Sequence, residues 1–525
     1  MTTTAPAAVN RCAVARPIPD AAPVMTATLL SNLNIFDLSR ESDSTSMQPY
    51  ASVWFVMERT DRSDRWLVVG AGPCGLSVSL ALRTAGIAFD AVEAGDRVGG
   101  LWNMDNPGSA IYESAHFISS SARSGWADLP MPDHYPDYPR WFEIRDYIHA
   151  WVAHHDLSPH YEFNTRVEDA RPIETETGEC WDVDLSTGEH RRYRGVIACP
   201  GFQRVSHTPT YPGEFTGEAR HSQSYKSADE FRNKRVMVVG AGNSAVDIAV
   251  DAAVAGEHAI ISTRRGYWFF PKLIGGVPFD CFGINTVSSQ ERLQSFLELV
   301  VGDPSRIGFG TPDHAPLEHH PILNDQVLHH MSHGDLVARP EIERFDGNTV
   351  HFTDGSSEEL DLIIWATGYK DKVPFVDDEH CHISSVDEEN DLFLWMFHRR
   401  HPQLMVLGPA NLAAGGYWGI AAAADMIANH ILDQTNDPDR WKRFRDVIEG
   451  PEPDLTGGYD YYQKPGHLNY VNAAALEEYS EALSEEFDFE PFAMPKDFQP
   501  PEVIDIDEWL DQPAAVEMPS HGSLT

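Results

Sequence analysis

Two stretches of this chain share one local pattern, and together they leave few folds open. Arg65-Trp66-Leu67-Val68-Val69 is a short apolar run with a β-branched pair, ending in Gly70-Ala71-Gly72-Pro73-Cys74-Gly75. Arg235-Val236-Met237-Val238-Val239 is a second such run, ending in Gly240-Ala241-Gly242-Asn243-Ser244-Ala245, its leading glycine 170 positions after that of the first. A helical stretch follows each loop (residues 76–82 and 246–253), then another apolar run (87–93 and 259–263). Strand, glycines, helix and strand in that order predict a parallel sheet whose loop cradles a pyrophosphate. Gly70 allows the tight turn, Gly72 lets backbone approach the phosphates, and Gly75 lets helix and strand pack closely. The helix N-terminus then offers unpaired N–H groups to the anion.

The ends of the second strands differ, and the difference is chemical. Glu93 stands 23 residues after Gly70, where a carboxylate accepts hydrogen bonds from ribose hydroxyls. No acid stands at the matching place in the second unit. Arg264 and Arg265 lie there instead, 24 and 25 residues after Gly240. A carboxylate repels a 2′-phosphate and an arginine accommodates it, so the second site should prefer NADPH to NADH, with one of the two arginines on the phosphate. After Glu93 comes Arg97-Val98-Gly99-Gly100-Leu101-Trp102, whose small residues admit a cofactor and whose indole can lie against it.

Composition removes other classes. The chain has 525 residues, enough for two or three domains, with 39 basic and 80 acidic residues and a net charge of −41. That balance argues against a nucleic-acid binder and against attraction to anionic membranes. No apolar run approaches the length of a spanning helix, and no secretory signal pattern opens the chain, so a cytoplasmic protein without a membrane anchor is expected. Residues 293–301 read as an amphipathic helix packed in an insertion of the second unit. The six cysteines are scattered with no C-x-x-C pair, which fits a reducing compartment and excludes a dithiol reductase site. His319-His320, His329-His330 and His380-Cys381-His382 lack convincing ligand geometry with nearby carboxylates, so no metal is expected.

Between the two units lies Phe215-Thr216-Gly217-Glu218-Ala219-Arg220-His221-Ser222-Gln223-Ser224-Tyr225, a full F-x-G-x-x-x-H-x-x-x-Y match. Here the chain resembles the flavin-containing monooxygenases. The order of the first loop, G-G-x-W, this fingerprint and the second loop extends the likeness, as does Ala366-Thr367-Gly368-Tyr369. The resemblance covers roughly residues 65–483. It implies an α/β fold of two Rossmann-like dinucleotide-binding domains, the NADPH domain inserted into the FAD domain. It implies FAD held by Gly70, Gly72, Pro73, Cys74, Gly75, Glu93, Gly100, Leu101, Trp102, Thr367, Gly368 and Gly408. It implies NADP held by Ser222, Gly240, Gly242, Asn243, Ser244, Arg264 and Arg265, while Phe215, Gly217, His221 and Tyr225 of the fingerprint tie the domains together.

The chemistry implied by the resemblance is reduction of FAD by NADPH, capture of dioxygen as a flavin peroxide, and oxygenation of a nitrogen or sulfur atom of a small organic substrate. Baeyer–Villiger oxidation of ketones is the nearest alternative; the fingerprint of those enzymes ends in Trp where Tyr225-Lys226 stands here. One departure matters. The family's asparagine near the flavin aligns with Ile118, which cannot donate a hydrogen bond, so Ser119 or Ser120 is the candidate substitute. That departure implies leakage of hydrogen peroxide and keeps an uncoupled NADPH oxidase or flavin redox sensor as a further alternative. Gly415-Gly416-Tyr417-Trp418 reads either as a wall of the substrate pocket or as a core aromatic pair.

The expected organisation is an N-terminal extension without order (1–60), a first part of the FAD domain (61–210), the NADPH domain (211–345), a second part of the FAD domain (346–435), a helical or irregular region (436–490) and a solvated acidic tail (491–525). Translation from Met57 would lead straight into the first strand. A homodimer is the commonest assembly for such a chain.

Overall fold

The computed structural model describes residues 59–283, 287–383, 390–412, 416–461 and 470–511. Residues 1–58 of the expected extension, with a start at Met57, and the last residues of the acidic tail lie outside that range. The first apolar run begins earlier than its hydropathy suggests, as strand Thr60–Val69. Arg59 anchors its start by ion pairs to Asp182 and Asp184. Parallel neighbours flank this strand, Phe89–Val92 on one side and His190–Ala198 on the other, with Val68 opposite Ala91 and Ile197. Leu404–Val406 continues the parallel order beyond Ile197. A hairpin of Val167–Thr175 and Gly178–Leu185 and further edge strands complete nine strands.

Side chains alternate across this sheet, as a pleat buried on both faces requires. Trp66, Val68, Ile197 and Met405 face a helical layer built from Pro73–Thr84, Trp141–His154 and Tyr417–Asn436. Leu67, Val69, Val196 and Val406 face the hairpin and the 373–383 segment. The second unit is a five-stranded, all-parallel sheet in the order Leu336–Arg339, His258–Ser262, Arg235–Val239, Leu362–Trp365, Glu218–His221. Helix Asn243–Ala255 covers one face through Ala245, Ile248, Ala249 and Ala252. A three-stranded meander, residues 342–359, covers the other through Ile342, Phe345, Val350 and Phe352.

Two expectations change here. The border at 346 falls later, because the meander packs on the second sheet and Leu362–Trp365 is one of its central strands; the chain leaves that sheet only after Trp365. The stretch from 491 is also no free tail where it is described. Ala493 and Met494 donate backbone N–H bonds to buried Asp425 at 2.6 and 3.0 Å. Phe498 lies 5.9 Å from the Trp418 ring. Ile504–Asp505 pairs in parallel with Phe282–Gly283, Ile506 is fully buried, and Arg292 binds Asp507 and Asp511 at 2.6 and 2.7 Å. The apolar residues that anchor this strap are single positions among acids, so composition hides them.

Among the described residues, no helix is long and apolar enough to cross a membrane. Helix Val287–Val301 buries Leu293 and Leu297 against the strap residues Ile506 and Trp509.

Asp425 should hold the strap to the first unit. Replacing it by alanine leaves buried N–H groups unpaired, at a cost of about 2 to 3 kcal/mol. Chemical denaturation of D425A should show that loss; an unchanged midpoint would contradict the assignment.

Candidate functional site

Strand Thr60–Val69 ends at Gly70, where φ is +108° and a Cβ would stand 2.3 Å from the Cys199 carbonyl oxygen. A Cβ on Gly75 would stand 1.9 Å from the Gly70 carbonyl oxygen, so the close packing expected of this glycine is met. The helix begins inside the loop, at Pro73 and not at Leu76, because Pro73 has a preset φ and no N–H to satisfy. Gly72 caps it with backbone alone, and no side chain occupies its first N–H groups. A Cβ on Gly72 would touch only Gly100 Cα, at 3.6 Å, so the space over this helix end is open. That cradle and its donors fit a pyrophosphate.

The segment after Glu93 folds back over the loop. Gly99 donates an N–H bond to Ala71 O at 2.9 Å, and a Cβ on Gly100 would lie 2.8 Å from Gly72 Cα. Glu93 is 5% exposed, and its two carboxylate oxygens each accept a backbone N–H at 2.7 Å, from Ala71 and Gly95. Each oxygen keeps a further lone pair for a ribose hydroxyl. Leu101 O accepts the Ser109 hydroxyl at 2.6 Å. Trp102 packs edge-on against Phe117 at 5.0 Å, and Phe117 against Tyr417 at 6.0 Å. Tyr417 is buried among Trp126 and Tyr147, so this member of the 415–418 segment is core; Gly415 lies outside the described residues. Gly408, with φ +117°, brings its backbone to the Cys74 sulfur, a Cβ there standing 3.4 Å away. Burial pushes the Cys74 thiol up to about 12, so it is neutral packing and no nucleophile.

Sequence reasoning missed two buried amides in this turn. Asn106 donates from Nδ2 to Gly100 O at 3.0 Å, and Asn103 donates to Asn106 Oδ1 at 3.0 Å. The N-x-x-N spacing directly after G-G-x-W was the available signal.

The second loop repeats the first. Gly240 has φ +126°, with a Cβ position 2.2 Å from Ala366 O. Gly242 caps helix Asn243–Ala255 by backbone alone, and nothing lies within 4 Å of its Cβ position. Ser244 is exposed in the first turn. Asn243 is otherwise engaged: Nδ2 donates to Pro321 O at 3.0 Å and Oδ1 accepts Leu323 N–H at 2.9 Å. At the end of strand His258–Ser262 the two arginines separate. Arg264 is exposed, whereas Arg265 lies over the Tyr267 ring at 4.9 Å and near Asp313 at 3.8 Å.

The fingerprint joins the two units. His221 accepts the Gln223 N–H on Nδ1 and so donates from Nε2 to Gly368 O, at 3.0 Å. Burial lowers its pKa, which keeps the ring neutral in that tautomer. Ser222 is buried beside Tyr369, whose hydroxyl burial pushes up to about 12. Tyr225 is fully buried on Phe231 and donates to Asp251 at 2.8 Å. Phe215 packs on Phe345 at 5.8 Å, and a Cβ on Gly217 would strike the Phe215 ring. Thr367 bonds His207 O, and Tyr369 pairs with Ser206. The contacts of Thr367 and Gly368 therefore go to the linker, and Ala366 goes to the second loop.

Ile118 is 36% exposed, and Ser119 accepts the Ser124 hydroxyl at 2.8 Å. Ser120, 1% exposed, donates its N–H and its hydroxyl to Asp280 at 2.7 and 3.1 Å. Among the described residues, ligand atoms of Asp128, His154 and His155 lie within 4.8 Å of one another, a grouping no sequence motif announced. A 2.5 Å His155–Asp128 bond and the Trp151 indole N–H at 3.0 Å account for Asp128.

Residues 63–416 match the flavin-binding monooxygenase-like family. Human flavin-containing monooxygenase 5 is 30% identical over 370 residues, spanning 66% of this chain and 69% of the relative. Human flavin-containing monooxygenase 1 is 28% identical over the same coverage. Among solved structures, Tmm from Pelagibacter sp. strain HTCC7211 superposes with a TM-score of 0.56 at 19% identity, covering 81% of this chain and 86% of that one. OTEMO in complex with FAD and NADP superposes with a TM-score of 0.61 at 18% identity, covering 81% and 98%. At those identities the structures establish the fold.

Gly72 and Gly242 offer a clean test of the two cradles, because alanine fits the protein at both, with φ of −81° and −68°. G72A should fold and lose most of its co-purified FAD. G242A should keep FAD and bind NADPH about tenfold or more weakly, a penalty of ~1.4 kcal/mol or above. Flavin absorbance per protein and NADPH titration read the two effects; full FAD in G72A would contradict the first cradle.

Proposed function

The chain belongs to the flavin-binding monooxygenase-like family and is a flavoprotein monooxygenase that uses FAD and NADPH; from that premise we propose that it transfers one atom of O₂ to a nitrogen or sulfur atom of a small organic substrate S. The balance is NADPH + H⁺ + O₂ + S → NADP⁺ + SO + H₂O. FAD, when bound, supplies the chemistry by taking hydride from NADPH and delivering electrons to oxygen. The protein's own part is placement, charge and exclusion of water.

The loop 70–75, with Glu93 and the Gly99–Gly100 turn, would hold the FAD pyrophosphate and ribose. The loop 240–245 would hold NADPH, with Ser244 at the helix end and Arg264 on the 2′-phosphate. Arg265 would shape that site from its seat on Tyr267. Trp102, Phe117 and Tyr417 form an apolar cluster of edge-to-face rings beside the first loop, which would keep water away. Nitrogen or sulfur is favoured over a ketone by one observation: the fingerprint ends in Tyr225, whose hydroxyl is committed to Asp251. Five described cysteines are unpaired, which supports a reducing, cytoplasmic setting.

Turnover under ¹⁸O₂ with amine, sulfide and ketone panels tests the reading. One ¹⁸O in an N-oxide or S-oxide per NADPH supports it, an ¹⁸O-labelled ester moves the enzyme to Baeyer–Villiger oxidation, and hydrogen peroxide alone contradicts it. R264A should raise KM for NADPH about tenfold and leave NADH unaffected, since one charge-assisted contact to phosphate is worth roughly 1.5 to 3 kcal/mol. Equal loss with both nucleotides would remove the phosphate role.

A further inference from the structure

The segment 109–120 belongs to the first unit by sequence, yet the second unit holds it. Tyr112 donates its hydroxyl to Asp247 at 2.8 Å, and Ser114 bonds Asp251 one helical turn further on. Glu113 N–H reaches Lys226 O at 2.8 Å, and the Lys226 ammonium reaches Ser109 O and Ile111 O at 2.7 and 2.9 Å. These bonds fix the segment before Phe117. After Ile118 the tie to the second unit passes through Ser120, whose N–H and hydroxyl both end on Asp280 Oδ2.

Asp280 is built for that task. It sits in the short turn Phe279–Cys281, which is itself held by Phe279 N–H bonds to Lys272 O at 2.9 Å and to the Tyr138 hydroxyl at 3.2 Å. Its second oxygen, Oδ1, is buried without a hydrogen-bond partner. Burial raises the pKa of this carboxylate, and the two Ser120 bonds to Oδ2 oppose that shift. An apolar side chain would be cheaper if the turn were only packing. Ser120, which Asp280 holds, stands two residues after Ile118, the position where the family resemblance implies a hydrogen-bond donor near the flavin.

We propose that Asp280 is a positioning residue that, through Ser120, fixes the Phe117–Ile118 wall so that oxygen delivered at the flavin is kept for substrate and not lost as peroxide. This rests on the monooxygenase reading above. The wasteful route is NADPH + H⁺ + O₂ → NADP⁺ + H₂O₂, which uses the same NADPH and O₂ as the productive one. Asp280 therefore acts on the partition between the routes and leaves flavin reduction untouched.

The test follows H₂O₂ release by the FAD-loaded protein with NADPH, in air, with no substrate added. Anaerobic flavin reduction by NADPH and thermal midpoint are measured beside it. D280A should release peroxide about tenfold faster, with reduction within about twofold of the parent, as expected for loss of an anchor of this strength. D280N retains an acceptor for the Ser120 N–H and should return peroxide release to within about threefold of the parent. It also serves if D280A does not fold: D280N must then lie near the parent, and S120A, which keeps the N–H bond, must rise by less than about tenfold. Unchanged release in folded D280A, or D280N as fast as D280A, overturns the proposal. A parent protein that yields only peroxide when the amine, sulfide and ketone panels are supplied overturns the monooxygenase reading itself, a different result.

Discussion

In both units a backbone carbonyl occupies the place where a side chain would otherwise sit. Cys199 O lies against Gly70 and Ala366 O against Gly240, at 2.3 and 2.2 Å from the missing Cβ atoms. The surrounding bonds repeat as well. Cys199 and Ala366 donate N–H to Val69 O and Val239 O, each at 2.9 Å, and Gly70 and Gly240 donate to Val92 O and Ser262 O. The first glycine is thus locked between the ends of two neighbouring parallel strands, which aims the next helix N-terminus at one point. Everything that follows, from the open Cβ space at Gly72 and Gly242 to the uncapped helices, depends on that lock.

The same carbonyls mark where the chain changes units. After Cys199 it leaves the first sheet, and after Ala366 it leaves the second. The two crossings lie side by side, Tyr369 opposite Ser206 and Lys370 opposite Val205. His221 bonds Gly368 O across them. The fingerprint and the A-T-G-Y segment are therefore parts of one paired hinge, which gives a physical reason for both. The strap beyond Asp488 is a second bridge, tied to the first unit at Asp425 and Asn429 and to the second at Phe282 and Arg292.

What the sequence made legible was local. A glycine that needs positive φ, an acid or an arginine at a fixed distance, and a fingerprint with fixed spacing all encode their reason within a few residues. Gly70, Glu93, Gly240 and His221 stand where their patterns predict. Helix starts were read late, because Pro73 and Asn243 begin their helices with no capping side chain to announce them. The border near 346 was read early, because the meander's turns look like a return to the first sheet while its apolar face, Ile342 to Phe352, packs on the second. Asp247, Asp251 and Asp280 carried no signal at all. Their meaning comes from Tyr112, Ser114 and Ser120, more than a hundred residues away in sequence. The acidic C-terminal composition suggested solvent, and only pairing with Arg292 and burial of Ile506 revealed the anchor.

In the proposed reaction hydride enters from a nucleotide on the second loop and reaches a flavin on the first, and Arg264 and Glu93 would set which nucleotide sits where. Anaerobic rapid mixing of the purified protein with NADPH, and separately with NADH, tests it most directly through bleaching of the visible flavin band. Bound FAD should be reduced by NADPH at concentrations at least about tenfold below those needed for NADH, the ratio expected for one well-placed guanidinium–phosphate contact. A flavin that neither nucleotide reduces, or that both reduce equally well, would contradict it.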